Sequence, residues 1–518
     1  MCKVQLRTHR WVSRASHRNA LTQHFVAKRY AQYSNNFGII CYVNSIGASI
    51  GLIQRVRGNN GSQELMSVAH HPAYDPDRPI GYCQLLKQNP RFRTLWIAQL
   101  VSAGGDWFNS VAVLGLILQL TRSGLGASLV LLASTVPMFF LIPIAGPVVD
   151  KFDRRMLMIL SNLFSAVVAL LFILVKTENR VWLLYVASIL LVVSASFFNP
   201  ASSASIPNIV TRGELFSANA LGGAAWRIMV MVGSALGGIV STLFGRDSAF
   251  VINALSFLIA AGLIALIEMP SPKTINKQMT PVKDFIEGIR YLRENLPSLA
   301  LVGVELGWGF GVGAVVLLSV FGTQVFHAGD AGIGILYAGR GLGVLIGPFV
   351  VPTVARNGIK KMRNAIWLSF MLAAIGYLIL AYAGWNDTLW FASFALILAH
   401  FGGGVVWTVS SVLLQITTPD RLRGRVLSVN SGLGTLGSGI STLLFGLALQ
   451  AGSSPMTLAV VGAVLFAVYG VFWGLITARG PFHISEATMV DSEQRVTRTQ
   501  SADYLDFGQF ETKTEQVG

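Results

Sequence analysis

Apolar residues run in blocks of twenty or more from about residue 95 to 478, broken by short polar connectors. A helix rises about 1.5 Å per residue, so roughly 20 residues cross a hydrocarbon core ~30 Å thick. The blocks therefore predict twelve membrane spans: 94–120, 126–149, 155–176, 181–202, 217–243, 248–268, 299–326, 332–355, 363–383, 388–416, 426–450 and 456–478. The connector at 269–298 is the longest and divides the chain six spans and six. It contains TPVKDFIEGIRYLRENL, in which Pro281 suits a first helical position. Val282, Phe285, Ile286, Ile289 and Leu292 share one helical face, while Lys283, Asp284, Glu287, Arg290 and Arg293 fall elsewhere. Two readings fit equally: an amphipathic helix lying on the inner membrane surface, or a plain linker between halves.

Composition sharpens this picture. Of 518 residues, 53% are hydrophobic and 12% charged, against about 25% charged in a soluble globular protein. The 53 glycines suit helices packed in lipid, where hydrophobicity gives no drive for association and small residues let backbones approach. The net charge of +15 does not mark a nucleic-acid partner, because the basic residues are spread over connectors between apolar runs. Cys2, Cys41 and Cys83 all precede the first span, so the membrane body has neither a disulfide framework nor a thiolate metal site. The expected fold class is an all-α polytopic membrane protein.

Charge asymmetry gives an orientation. One set of connectors holds Lys151, Arg154, Arg155, Arg212, Arg356, Lys360, Lys361, Arg421, Arg423 and Arg425, and 269–298 adds five more basic residues. The opposite set holds little beyond Arg122, Lys176, Arg180 and Arg246. Basic connectors are retained on the cytoplasmic side, so both termini and the long connector are expected there.

The two halves echo one another. IPNIVTRGELFSANAL (206–221), between spans four and five, and TPDRLRGRVLSVNSGL (418–433), between spans ten and eleven, both run from Pro through a basic residue and Gly to Ser-x-Asn. GGIVSTLFG (237–245) likewise faces GSGISTLLFG (437–446) at a different spacing. Two related six-helix bundles follow. One stretch is unusual. Between Thr94 and Val149 only Asp106 and Arg122 are charged, and then Asp150, Lys151, Asp153, Arg154 and Arg155 arrive together in GPVVDKFDRRML. This stretch, with Gly146, resembles the signature connector between helices two and three of the major facilitator superfamily, with Asp153 in place of the usual second Gly. The matching connector of the second half, VPTVARNGIKKMRN, keeps the basic residues and has lost the acid. TPDRLRGRV after Gln415, and PNIVTRGELFSANAL before Arg227, resemble the macrolide-efflux and enterobactin-exporter branch over about residues 86–478. The resemblance implies the twelve-helix major facilitator fold, alternating access between two bundles, and proton-driven export. It also implies that Gly146, Asp150, Lys151, Arg154 and Arg155, with Arg423, Gly424 and Arg425, form a gating motif at the cytoplasmic rim. Helix-dipole contacts there are worth about 0.3–1 kcal/mol each, enough to bias a two-state equilibrium without locking it; the plainer reading is that these charges anchor topology.

Ionisable groups inside spans are costly and so are functional candidates. Asp106 lies about 18 Å along span one from its cytoplasmic end, and Arg227 on span five and Arg340 on span eight lie about 13–15 Å in. Glu305 on span seven lies nearer the cytoplasmic face. Each half thus holds an acid and a base, Asp106 with Arg227 and Glu305 with Arg340. In one reading these are structural intramembrane salt bridges. In the other the carboxylates titrate as a partner Arg or a cationic substrate comes and goes, coupling a proton to substrate movement. His400 on span ten is a relay candidate against a packing histidine, and Trp308 and Trp407 are candidates for stacking on a planar or cationic substrate against ordinary packing.

Other chemistries find no support. GLGTLG (432–437) fits G-x-G-x-x-G but sits inside a membrane helix with no preceding strand. No phosphate-loop motif, HExxH, GxSxG or paired-carboxylate mouth occurs, so neither an enzyme, a cofactor nor a metal is expected. Ser234 stands where the superfamily's antiporter motif has Pro, which leaves transport direction open. Residues 1–63 hold nine Lys or Arg and no Asp or Glu. They are composed like a transit peptide or, on the preferred reading, lie upstream of a true start at Met66. FGIICYVNSIGASIGLI (37–53) is too short and polar for a span. The expected organisation is a flexible extension over 1–85, a six-helix bundle over 86–268, the connector over 269–298, a second bundle over 299–478 and a disordered tail over 479–518. The expectation is a monomeric exporter of amphipathic or hydrophobic small molecules in a bacterial inner membrane. Its partners are the substrate, protons and lipids. A facilitator or importer on the same fold, or a lipid-translocating protein, is the alternative.

Overall fold

Twelve helices long and apolar enough to cross a membrane follow one another between Pro90 and Ala478. They belong to a computed structural model that describes residues 39–43, 50–57, 63–67, 80–269, 281–356, 358–479 and 482–483. Most of the extension expected over 1–85, and nearly all of the tail expected over 479–518, lie outside these residues. Met1–Arg78 and Pro79–Gly518 are separate units. In the first, β1 (Ile39–Val43), β2 (Ile50–Arg57) and β3 (Gln63–Ser67) form an antiparallel meander, with Cys41 opposite Leu52 and Gln54 opposite Met66. The stretch rejected as a span thus supplies two paired strands.

In the second unit a short helix, α1 (Tyr82–Gln88), leads into the spans and fully buries Leu85. The spans are, in order, Pro90–Thr121, Gly124–Leu141, Arg154–Leu174, Glu178–Ile209, Arg212–Phe244, Arg246–Ala265, Leu296–Val325, Gly329–Ala355, Ile359–Trp385, Leu389–Thr417, Leu422–Gln450 and Pro455–Ala478. Their ends are set by recognisable caps. Asn89 accepts from the Phe92 amide with Pro90 at the first helical position of span one. Arg122 closes that span in the left-handed conformation (φ 51°). Thr211 and Glu214 make a reciprocal capping box on span five.

Asp153 caps span three, accepting from the Met156 amide at 2.7 Å. Helix also begins earlier than expected in span eleven, at Asp420 directly after Pro419. Arg423, Gly424 and Arg425 therefore lie in its first two turns and not in a loop.

Spans one, three, four and six pack together in the first half, and spans seven, nine, ten, eleven and twelve in the second. Spans five and eight, and spans two and eleven, join the halves. Glycine makes the five–eight contact close. A Cβ on Gly341 would lie 2.5 Å from the Met231 nitrogen, and one on Gly334 would lie 2.7 Å from the Ser234 carbonyl. Between the halves, α2 (Pro281–Glu294) forms as its pattern predicts. It docks on the adjoining ends of spans ten and eleven: Glu287 and Arg425 form an ion pair, and the Tyr291 hydroxyl donates to the Thr417 carbonyl at 3.0 Å. Leu292 is buried and Phe285 and Ile289 pack against the main core, while Ile286 remains exposed.

Candidate functional site

A cavity of about 270 Å³ lies within the first half, walled by spans one, three, four, five and six. Gln99, Ser102, Ser161, Asn162, Ser165, Ser194 and Asn199 line it, with Asp106 as its one ionisable group. Gln99, Ser102 and Asp106 on span one, and Ser161, Asn162 and Ser165 on span three, follow three- and four-residue steps, which places each set on one helical face. Ser165 donates to Ser194, and Ser194 to the Ser161 carbonyl, so part of this polar surface is held in place across spans three and four. The Asp106 side chain is exposed to this space.

The expected pairing of Asp106 with Arg227 does not occur, nor that of Glu305 with Arg340. Among the described residues no ion pair joins either couple. Span five turns Arg227 away from the cavity. Its guanidinium carbon sits 5.7 Å over the Trp407 ring of span ten, and its Nη1 donates to its own helix at the Gly223 carbonyl. Arg340 sits 5.7 Å over the ring of Tyr337, one turn earlier on the same helix. Aromatic faces thus hold both cations in place of carboxylates. The rings themselves are linked across the halves. Trp107 of span one is 5.9 Å from Tyr337 and 6.4 Å from Trp226, and Trp226 is 6.0 Å from Trp407. Of the two tryptophans expected to line a cavity, Trp407 belongs to this cluster and is 47% exposed.

Trp308 does not. It packs on Phe370 at 5.4 Å and Phe466 at 5.0 Å within the second half, against Gly403, which leaves room for its ring. It is a packing residue, because its face of span seven points to spans nine and twelve. His400 is likewise buried, with the Tyr377 hydroxyl 3.5 Å from its Nε2. Its ring also lies 6.1 Å from that of Tyr377, and no carboxylate neighbours it among the described contacts. Glu305 accepts a 3.3 Å hydrogen bond from Ser410 and lies against Gly434, placing it between spans seven, ten and eleven.

At the basic end, the signature connector binds its own half. Arg154 donates to the Ala204 carbonyl at 2.7 Å and lies 3.7 Å from Asp150, and Arg155 donates to the Ala265 carbonyl at the end of span six. Lys151 lies over Phe152, and Gly146 is half-buried in the helix Val136–Lys151, beyond the end of span two. Arg423 donates to the Gln415 carbonyl at 3.2 Å, and Gly424 faces open space. These contacts tie spans three, four and six together, and spans ten and eleven; none of them crosses between the halves.

A cross-half lock stands at the opposite, low-charge end. Arg246, at the start of span six, holds Asp330, at the start of span eight, through two hydrogen bonds of 2.7 and 2.8 Å, and also reaches Gln119 of span one. Asp330 is 6% exposed. Gly115 makes room for it, since a Cβ there would lie 1.9 Å from its Oδ1. Ser123 donates to Gln450 at 2.8 Å, joining spans two and eleven at the same end. Sequence reasoning noted Arg246 only as a loop charge and missed Asp330, because the partners lie 84 residues apart with no local pattern linking them. The polar face of span three was readable from its spacing and was missed.

The family profile described as transmembrane secretion effector, of the major facilitator type, matches residues 85–498. The chain belongs to that family and is an integral membrane protein. It is 22% identical over 361 residues to macrolide efflux protein A of Streptococcus pyogenes, covering 68% of this chain and 88% of that one. To the enterobactin exporter EntS of Citrobacter koseri it is 23% identical over 402 residues, covering 76% and 93%. A solved structure of a bacterial homologue of the human lysosomal transporter Spinster matches with a TM-score of 0.58 at 14% identity, covering 78% of this chain and 98% of that one. That likeness shows the fold.

Proposed function

We propose that this transporter exports amphipathic or hydrophobic small molecules by alternating access, exchanging them for protons. The observation that carries the reading is Asp106, a carboxylate deep in a span, exposed to a polar cavity and held by no cation among the described residues. A carboxylate in that position is neutralised by binding a proton, and it gives the proton up when the surroundings change. The efflux proteins among its relatives point the same way for direction. The Arg246–Asp330 lock closes the low-charge end, which the distribution of basic residues assigns to the outside. The state described here then accepts substrate from the cytoplasm. On this reading both termini are cytoplasmic, the membrane is a bacterial inner membrane and the monomer is the working unit.

Cells expressing the protein are expected to extrude a fluorescent substrate in an energy-dependent way that a protonophore stops. Asp106→Asn is expected to cut the rate by about tenfold or more while the protein still reaches the membrane. Extrusion by Asp106→Asn at the wild-type rate would remove the proposed role of this residue.

A further inference from the structure

Two arginines in the middle of a membrane protein, each without an acidic partner among the described residues, call for a source of negative charge. Arg227 and Arg340 are such a pair. The Nε of each is buried and makes no hydrogen bond. Their helices meet where Gly341 approaches Met231, so Arg340 adjoins that contact and Arg227 lies one turn from it. The aromatic rings beneath them fix the position of the guanidiniums without neutralising them. Arg340 keeps its forked donors, and Arg227 its Nε and Nη2, for a planar anion, which a guanidinium binds through two parallel hydrogen bonds. The Tyr337 hydroxyl, 2% exposed and with no partner, adds a further donor beside Arg340.

The surrounding rings say what else the ligand carries. Trp107, Trp226, Tyr337 and Trp407 meet edge-on or tilted, at interplanar angles of 50–76°, so they do not stack on one another. Trp226 is 40% and Trp407 47% exposed, although each contacts the other from the opposite half of the molecule. Exposed indole faces between two bundles offer stacking area to a flat ring. We infer that Arg227, Arg340 and Tyr337, with Trp226 and Trp407, bind an aromatic organic anion: a planar ring bearing a carboxylate. This deepens the transport reading and rests on it, since it names the substrate class of the same central path. Residues of spans five, eight and ten contribute together, so the bound anion bridges the halves.

The test is binding, measured apart from transport. The full chain in lipid nanodiscs is titrated with three ligands sharing one ring system: 2-naphthoate, 2-naphthamide and 2-naphthylmethylamine, with tryptophan fluorescence as the readout. The proposal expects naphthoate to bind about tenfold tighter than the amide, with the amine weakest. Arg340→Gln and Arg227→Gln should each reduce that preference, leaving amide binding intact, and Arg340→Lys should restore part of it. Equal binding of the three, a preference for the amine, or no binding of naphthoate overturns the proposal without needing any variant to fold. Failure of proton exchange in a transport assay, with the naphthoate preference retained, would instead count against the coupling and leave this site standing.

Discussion

Trp308 and Trp407 show how little residue type decides alone. One is wedged among Phe370, Phe466 and Gly403; the other lies half open beneath Arg227 at the junction of the halves. Trp308→Ala should leave a cavity and lower stability by about 3 kcal/mol, seen as a lower melting temperature with ligand affinity unchanged. Trp407→Ala should do the reverse, leaving the melting temperature and weakening ligand binding by roughly fivefold to tenfold. A shared effect of the two substitutions would contradict the assignment. The four intramembrane charges were legible because each interrupts an apolar run, and depth follows from counting residues. Their partners were not, because pairing depends on how each helix is rotated. Arg227 faces span ten and not Asp106, and nothing local to span five states that. The serine and asparagine wall around Asp106 was legible in principle. Ser161, Asn162 and Ser165 follow the three- and four-residue steps of a hydrophilic helical face.

At the scale of elements, the lock at the low-charge end makes the clearest claim. Arg246 and Asp330 join the starts of spans six and eight, with Gly115 of span one giving Asp330 its place. A charge-assisted bidentate pair of this kind contributes about 2 kcal/mol, roughly a thirtyfold bias toward the closed end. Asp330→Asn should therefore raise the rate at which an impermeant maleimide labels Ser241→Cys, which lines the adjoining cavity at that end, in a background free of the three native cysteines. Gly115→Val should act in the same direction by crowding Asp330. Exchange of the pair, Arg246→Asp with Asp330→Arg, should recover slow labelling. Labelling that stays slow in Asp330→Asn would show that the close packing of spans five and eight, and not the ion pair, keeps this end shut. The spans themselves were almost wholly readable, because an apolar run of helical length has few other uses. Their ends were less so. The helix that carries span eleven begins at Asp420, with Pro419 as its N-cap, and basic residues assigned to a loop became helical.

For the whole molecule, the division into two six-span halves was argued from the long connector and the echo between 206–221 and 418–433. How the halves meet was not readable: glycines alone set the distance between spans five and eight, and a glycine-rich helix does not say which neighbour it approaches. The account places proton exchange on Asp106 in the first half and an anion-binding aromatic site at the junction, with the outer end locked. Its central claim is tested most directly in liposomes holding the purified protein under an imposed pH gradient, with internal pH recorded as aromatic acids, macrolides, cationic dyes and siderophores are added in turn. The account predicts that a transported compound collapses the gradient and that Asp106→Asn abolishes this response. Substrate equilibration with no change in internal pH would contradict it, making the protein a facilitator and Asp106 a structural group.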